Sequence, residues 1–435
     1  MKEKNKILVL MIISMVLGYL PWYNFSAVSE YIIEEFNIST RDMGAILASF
    51  QLGYVIMVIL TSWLADKIGK KMVIVWATLF TAIFSTMFVW LAKDFRSILI
   101  LRLLAGLSAG AIYAPGMALL SDWFPPEERG KAIGAYTGAL TASYAGGYFI
   151  ASPLSAIYGW RIGILWTSLP VFIAVYIVFF YIKEKPLKIT MSRKINNLKE
   201  NNISIKPAPE GGFKGPFFVT FGYMGHMWEL YTFWGWIGPF MVASSYAVGY
   251  NEVQAVILGG RLAAFIIILG APAVWLIGVA SDKWGRGTTT IISAFASLIP
   301  EFFIGYLFGQ SLALITIVAF WIGFWIIADS GIYKVALTEM VSTKIKTAAL
   351  GVQSAAGYGM SIISLYLFGN LLEIMNPVST NLLKTNNWGI PFLILGTGSL
   401  LAPISIIILK KLPQSKLMIE FRNSPKKKRE EISTH

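Results

Sequence analysis

Long apolar stretches, each interrupted by a short polar or charged segment, run along the chain from end to end. Twelve such blocks fall at about 7–29, 43–64, 72–92, 97–120, 132–156, 162–182, 216–246, 253–279, 288–308, 311–338, 347–373 and 388–409. A hydrocarbon layer of ~30 Å takes ~20 helical residues, so each block is long enough to cross one. The blocks do not alternate apolar and polar positions as barrel strands do. Backbone polar groups in lipid must be satisfied within their own segment, so the pattern predicts twelve transmembrane helices, spans 1 to 12. The first block is long, lacks a small-residue cleavage site and runs on into "GYLPWYNFSAVSEY", so it is expected to be a span and not a cleaved leader. The predicted class is an all-α membrane protein.

Composition agrees with this reading. Of 435 residues, 56% are hydrophobic and 14% charged, too little polar surface to cover a soluble core of that size. There is no cysteine, which excludes disulfides and thiolate metal sites. The net charge of +13 would suit a nucleic-acid partner, but its placement argues against one. Twelve spans put both termini on one side. The loops of the other side carry only Arg41, Lys93, Arg96, Arg161 and Lys384, and Arg102, Arg261 and Lys334 are embedded. All remaining Lys and Arg lie on the side of the termini, which is therefore expected to be cytoplasmic. The expected setting is a plasma membrane, with the bilayer and no nucleic acid as partner. The tail "SPKKKREE" meets solvent or anionic headgroups.

The chain also repeats itself. "SWLADKIGKK" from Ser62 and "GVASDKWGRG" from Gly278 align Asp66 with Asp282, Gly69 with Gly285 and Lys70 with Arg286, each pair 216 residues apart. "RGKAIGAYTGA" from Arg129 echoes "KTAALGVQSAA" from Lys346, and "GAIY" ending at Tyr113 echoes "SGIY" ending at Tyr333. Landmarks recurring in one order mark a duplication. Between the copies lies a Lys- and Asn-rich segment ending in Pro and Gly. The expected organisation is a six-helix bundle over 1–183, a linker over 184–213, a second six-helix bundle over 214–411 and a basic tail over 412–435.

These motifs resemble the major facilitator superfamily. "SWLADKIGKK" and "GVASDKWGRG" look like its signature loop, "RLLAGLSAG" from Arg102 like its helix 4 motif, and "WFPPEERGKAIG" like the loop that follows. The resemblance implies two pseudo-symmetric bundles, alternating access around a central site, and a monomer. It implies a latch as well, with Asp66 meeting the start of span 11 and Asp282 the start of span 5. A carboxylate gains there from the helix N-terminus, and Gly69, Lys70, Gly285 and Arg286 complete the turn. It further implies a proton-coupling role for Arg102. Span 5 departs from the family's antiporter pattern, having the pair Gly146-Gly147 without Gly-Pro.

Ionisable residues inside spans are costly and usually face the interior. His226 and Glu229, three apart in span 7, share a face. Glu229 is expected to accept a proton, with His226 as its partner or as a substrate donor. Asp329 in span 10 is expected to face the cavity, and Arg261 in span 8 to attract an anion or pair with an acid. Neither Glu301 nor Lys334 receives a role from the sequence. Tyr19, Tyr23, Asn24, Trp228 and Tyr231 are expected to line the cavity, since aromatic faces with one amide suit a small, partly apolar organic substrate. Paired Gly106/Gly110 and Gly134/Gly138 are read as sites of close helix approach. No nucleophile–base set, P-loop or metal constellation occurs, so neither an enzyme nor a cofactor is expected. The expected function is proton-coupled uptake of a small organic anion. Efflux of an amphipathic cation and a sensor that has lost transport are the alternatives.

Overall fold

A computed structural model describes residues 3–184, 212–342, 345–377 and 381–415, and every regular element among them is a helix. Much of the expected linker and tail lies outside the described residues. Nine stretches are long and apolar enough to cross a membrane, corresponding to spans 2, 3, 4, 6, 8, 9, 10, 11 and 12. Spans 1, 5 and 7 complete the twelve as Glu3–Tyr19 with its continuation Ser29–Phe36, Pro126–Tyr158 and Lys214–Ala247. Span 1 is interrupted after Tyr19, and spans 5 and 7 carry many Gly, Ser, Tyr and Trp residues. Every residue of span 7 from 225 to 245 is buried, and a helix with no lipid face needs no apolar stripe toward lipid.

Local signals set the span limits. Capping boxes open span 2 (Ser39 with Asp42), span 4 (Asp94 with Ser97) and span 8 (Asn251 with Gln254). Gly69 and Gly285, in the two signature loops, adopt nearly the same backbone, φ +84° and +89°, where a side chain would be strained. Each lets one span turn directly into the next. The carboxylate of Glu184 accepts from the backbone N–H of Lys70 and Lys71 at 3.0 and 3.4 Å, so the first residues of span 3 are capped from the end of span 6.

The two bundles meet along two seams, span 2 on span 11 and span 5 on span 8. At the face away from the signature loops the seams are tight. Thr40 Oγ1 donates to the Gly369 carbonyl at 3.2 Å, Arg41 N–H to Glu373 at 3.1 Å, and Arg41 Nε to Tyr366 OH at 2.8 Å. A Cβ on Gly44 would lie 3.2 Å from Gly369 Cα. The signature face differs. A Cβ on Gly134, Gly138 or Gly351 would meet nothing within 4 Å. Among the described residues, the bundles are closed at one face and parted at the other.

This corrects one expectation. Gly106 and Gly110 do bring helices together, since a Cβ would fall 2.0 Å from the Phe50 carbonyl and 2.6 Å from that of Tyr54. Gly134 and Gly138, at the same spacing, border open space instead.

Candidate functional site

Where the bundles meet at depth, aromatic rings from both form one cluster. Trp22 sits at its centre, with ring centroids of Tyr54 at 4.7 Å, Tyr144 at 5.0 Å, Tyr19 at 5.3 Å and, from the other bundle, Tyr231 at 5.9 Å. Tyr54 of span 2 contacts Tyr358 of span 11 at 5.0 Å, and Tyr144 contacts Trp234 at 5.3 Å. Tyr148 adds a polar link, its hydroxyl donating to the carbonyl of Trp234 at 2.8 Å and lying 3.4 Å from that of Gly235. Pro239 has no N–H for the Gly235 carbonyl four residues back, so span 7 has an acceptor free at that point. Gly238 makes room for the same ring. Tyr358, like Tyr113 of span 4, is only half-buried and faces the parted side.

The sequence placed Tyr19, Tyr23 and Tyr231 in this region, and they are in it. Asn24 and Trp228 are not. Asn24 Nδ2 donates to Thr167 Oγ1 at 2.8 Å and Trp228 Nε1 to the Leu395 carbonyl at 3.1 Å, each inside its own bundle. Tyr54, Tyr144, Tyr148 and Tyr358 were missed. Only the pairing of spans 2 with 11 and 5 with 8 brings them in, and no local spacing reveals that.

Arg102 is buried, and its position gives it a structural task. Span 1 unwinds between Tyr19 and Ser26, which frees carbonyls. Arg102 Nη1 and Nη2 donate to the carbonyls of Pro21 and Trp22, both at 3.0 Å. Its guanidinium also lies 4.3 Å from the ring centroid of Phe50 and 5.0 Å from that of Phe25. It holds the break that carries Trp22 and Tyr23.

The second bundle contains a buried acid cluster. His226 Nδ1 lies 3.0 Å from Asp329 Oδ1, joining spans 7 and 10. Glu229, one turn along, lies close to Glu301 on span 9 and to Ser297. Ser399 Oγ of span 12 donates to Glu301 Oε2 at 3.2 Å. His226, Glu229, Glu301 and Asp329 are all nearly inaccessible to solvent. Thus His226 and Glu229 share a helix but take separate partners. Glu301, without a role in the sequence reading, is the partner of Glu229.

Arg261 does not face this site. Its neighbour Gly259 abuts Val242 of span 7 and Gly260 abuts Ser152 of span 5. A further turn of ~100° takes Arg261 away from both. It is exposed, as is Phe265 one turn on, and both lie on the outward face of span 8.

At the signature face, Lys70 pairs with Asp122 at the end of span 4. Arg286 Nε meets both oxygens of Glu339, at the end of span 10, at 2.8 and 3.0 Å. The two copies thus make the same bond, each within its own bundle. Asp282 pairs with Arg286 at 3.4 Å, and among the described residues it has no ion pair with the start of span 5. The side chain of Asp66 lies outside the described residues.

A pair of six-helix bundles, parted at one face and meeting over a buried aromatic cluster, is the architecture of a membrane transporter. The chain belongs to the Major Facilitator Superfamily, whose family pattern matches residues 10–365. It is 26% identical over 251 residues to the hexuronate transporter of Bacillus subtilis, covering 55% of this chain and 57% of that protein. To a probable sulfoacetate transporter, SauU, of Cupriavidus necator it is 24% identical over 434 residues, 92% of this chain and 93% of that one. To the cis,cis-muconate transport protein of Acinetobacter baylyi it is 27% identical over 333 residues, 73% and 75%. Its fold is similar to a crystal structure of a D-xylose-proton symporter, with TM-score 0.71 at 18% identity, over 94% of this chain and 98% of that one. It is also similar to a bacterial homologue of the human lysosomal transporter Spinster in an inward-facing, occupied conformation, with TM-score 0.72 at 16% identity, over 98% and 99%. It is a multi-pass membrane transporter of a small molecule, not an enzyme.

Proposed function

We propose that the protein is a proton-coupled importer of a small organic anion in the plasma membrane, with the signature face cytoplasmic. The relatives named for hexuronate, sulfoacetate and muconate support an organic anion as cargo. The observation that carries the coupling is the buried acid cluster. Two adjacent carboxyls without a cation between them share a proton more readily than they both carry charge. Glu229 with Glu301 is the proton site, and His226 with Asp329 relays to it or steadies it. Protonation changes the hydrogen bonds joining spans 7, 9, 10 and 12, and so biases one arrangement of the bundles over the other. Asp66 and Asp282 act as the latch when the signature face closes. That face is open here, in keeping with Asp282 resting on Arg286.

The test is uptake into proteoliposomes with and without an imposed pH gradient, using galacturonate, galactonate, muconate, 4-hydroxybenzoate and sulfoacetate. Gradient-driven accumulation is expected for at least one acid, falling at least about a hundredfold in Glu229→Gln and in Glu301→Gln, the lower end for removing a positioned proton-transfer group. Accumulation indifferent to the gradient, with both variants at wild-type rate, removes the proton role.

A further inference from the structure

An anion carrier needs a cation where the cargo sits, and the two arginines singled out by sequence are spoken for. Arg102 holds backbone carbonyls, and Arg261 faces outward. Lys334 is the remaining embedded base. It lies on the second half of span 10, Ser330–Met340, beyond a break in that span.

Its direction follows from its neighbours. Ile332 packs with Ala273 and Ile277 of span 8. The ring of Tyr333 lies 5.9 Å from Tyr223 and 5.5 Å from His226, both on span 7. Ala336, Leu337 and Met340 are buried in the bundle. Lys334, turned ~100° past Tyr333, therefore points away from spans 7 and 8 and from the bundle interior. Gly331, on the same face, is exposed, and a Cβ there would meet nothing within 4 Å. Lys334 is half-buried, between exposed Gly331 and buried Leu337, as for a residue on the wall of the parted space.

It also lacks a counter-ion. The acids nearest to it on span 10 are engaged elsewhere, Asp329 with His226 and Glu339 with Arg286. Among the described residues no carboxylate forms an ion pair with it. A half-buried ammonium without a partner is costly and is relieved by an anion. Half-buried Tyr358 and Tyr113 border the same parted side.

Building on the organic-anion reading above, we propose that Lys334 is the substrate-binding cation of the central cavity, pairing with the carboxylate of the cargo. The bond forms on the wall of span 10 facing the first bundle. A bound acid neutralises a charge that would otherwise be shut into the protein unpaired when the signature face closes. The cavity therefore closes more readily loaded than empty.

The experiment measures uptake of the five acids above, beside galactose and 4-hydroxybenzamide as uncharged analogues, in wild type, Lys334→Gln and Lys334→Arg. The expected result is a KM for the transported acid raised about tenfold to a hundredfold in Lys334→Gln, the cost of one charge-assisted hydrogen bond. Lys334→Arg stays near wild type, and any uptake of the analogue is unchanged by Lys334→Gln. A second measurement needs no variant. Amine acylation of the peptide carrying Lys334, read by mass spectrometry, is slowed by the transported acid and not by its analogue. If wild type moves an acid but Lys334→Gln keeps its KM and the acid gives no protection, Lys334 loses this role while the anion reading stands. If wild type moves none of the five acids, the anion reading falls and the role of Lys334 with it.

Discussion

Replacing Arg102 with methionine separates a fastener from a coupling residue. Arg102 is 5% exposed, and its guanidinium donates to the carbonyls of Pro21 and Trp22, both at 3.0 Å. Leaving two buried carbonyls unpaired costs about 1–3 kcal/mol each. Loss of the contacts over Phe50 and Phe25 adds about 2 kcal/mol. Against this, methionine removes a buried charge whose desolvation costs several kcal/mol, and it fills most of the space. The net expectation is a loss of about 2–4 kcal/mol, with Arg102→Lys losing about half because one ammonium reaches one carbonyl well. Thermal unfolding of purified protein in detergent, followed by tryptophan fluorescence, reads the loss, and uptake with and without a pH gradient is measured alongside. A lowered midpoint, graded from wild type through Lys to Met, with gradient dependence retained in whatever uptake survives, is the predicted pattern. An unchanged midpoint with gradient dependence abolished would refute the reasoning and return Arg102 to the coupling role that the family resemblance implies.

Two further outcomes follow from packing and charge. Gly106→Ala places a Cβ 2.0 Å from the Phe50 carbonyl and is expected to lower the unfolding midpoint, whereas Gly134→Ala, with nothing within 4 Å, leaves it unchanged; equal midpoints count against the contrast. At the helix ends on the face away from the signature turns, Arg161 grips both oxygens of Glu35 at 2.6 and 2.9 Å and holds its carboxyl below the usual range, with Trp160 adding a hydrogen bond. A carboxyl whose folded pKa is depressed stabilises above its unfolded value and loses that contribution as pH falls through the folded one. The midpoint of wild type is therefore expected to exceed that of Glu35→Gln at neutral pH, by a margin that shrinks below about pH 4; a margin independent of pH removes the pair from the account.

The spans were legible because lipid demands long apolar helices, and the duplication because the glycines of the signature turns stand at matched positions. Spans 5 and 7 were recognisable by length despite polar and aromatic content, and the ionisable and aromatic residues of span 7 already pointed to the interior. Three things were not legible. Which helix meets which across the seam is a long-range property, so Tyr54, Tyr144 and Tyr358 had no local signal. Partner choice among buried acids depends on rotation between helices, so the i,i+3 spacing of His226 and Glu229 suggested a pair where the structure has two. The direction of Arg261 turned on two small neighbours, Gly259 and Gly260, whose contacts orient span 8.

The central claim is that the bundles must part at the face where they are now joined. Arg41 and Tyr366 touch across that face at 2.8 Å, and the chain has no cysteine of its own, so Arg41→Cys with Tyr366→Cys gives a background-free pair. Linking them with a short reducible bis-methanethiosulfonate and measuring uptake of the acid that wild type transports tests the claim directly. The account predicts that uptake stops on linking, returns on reduction, and is unaffected by the reagent in either single variant. Undiminished uptake by the fully linked protein would contradict it.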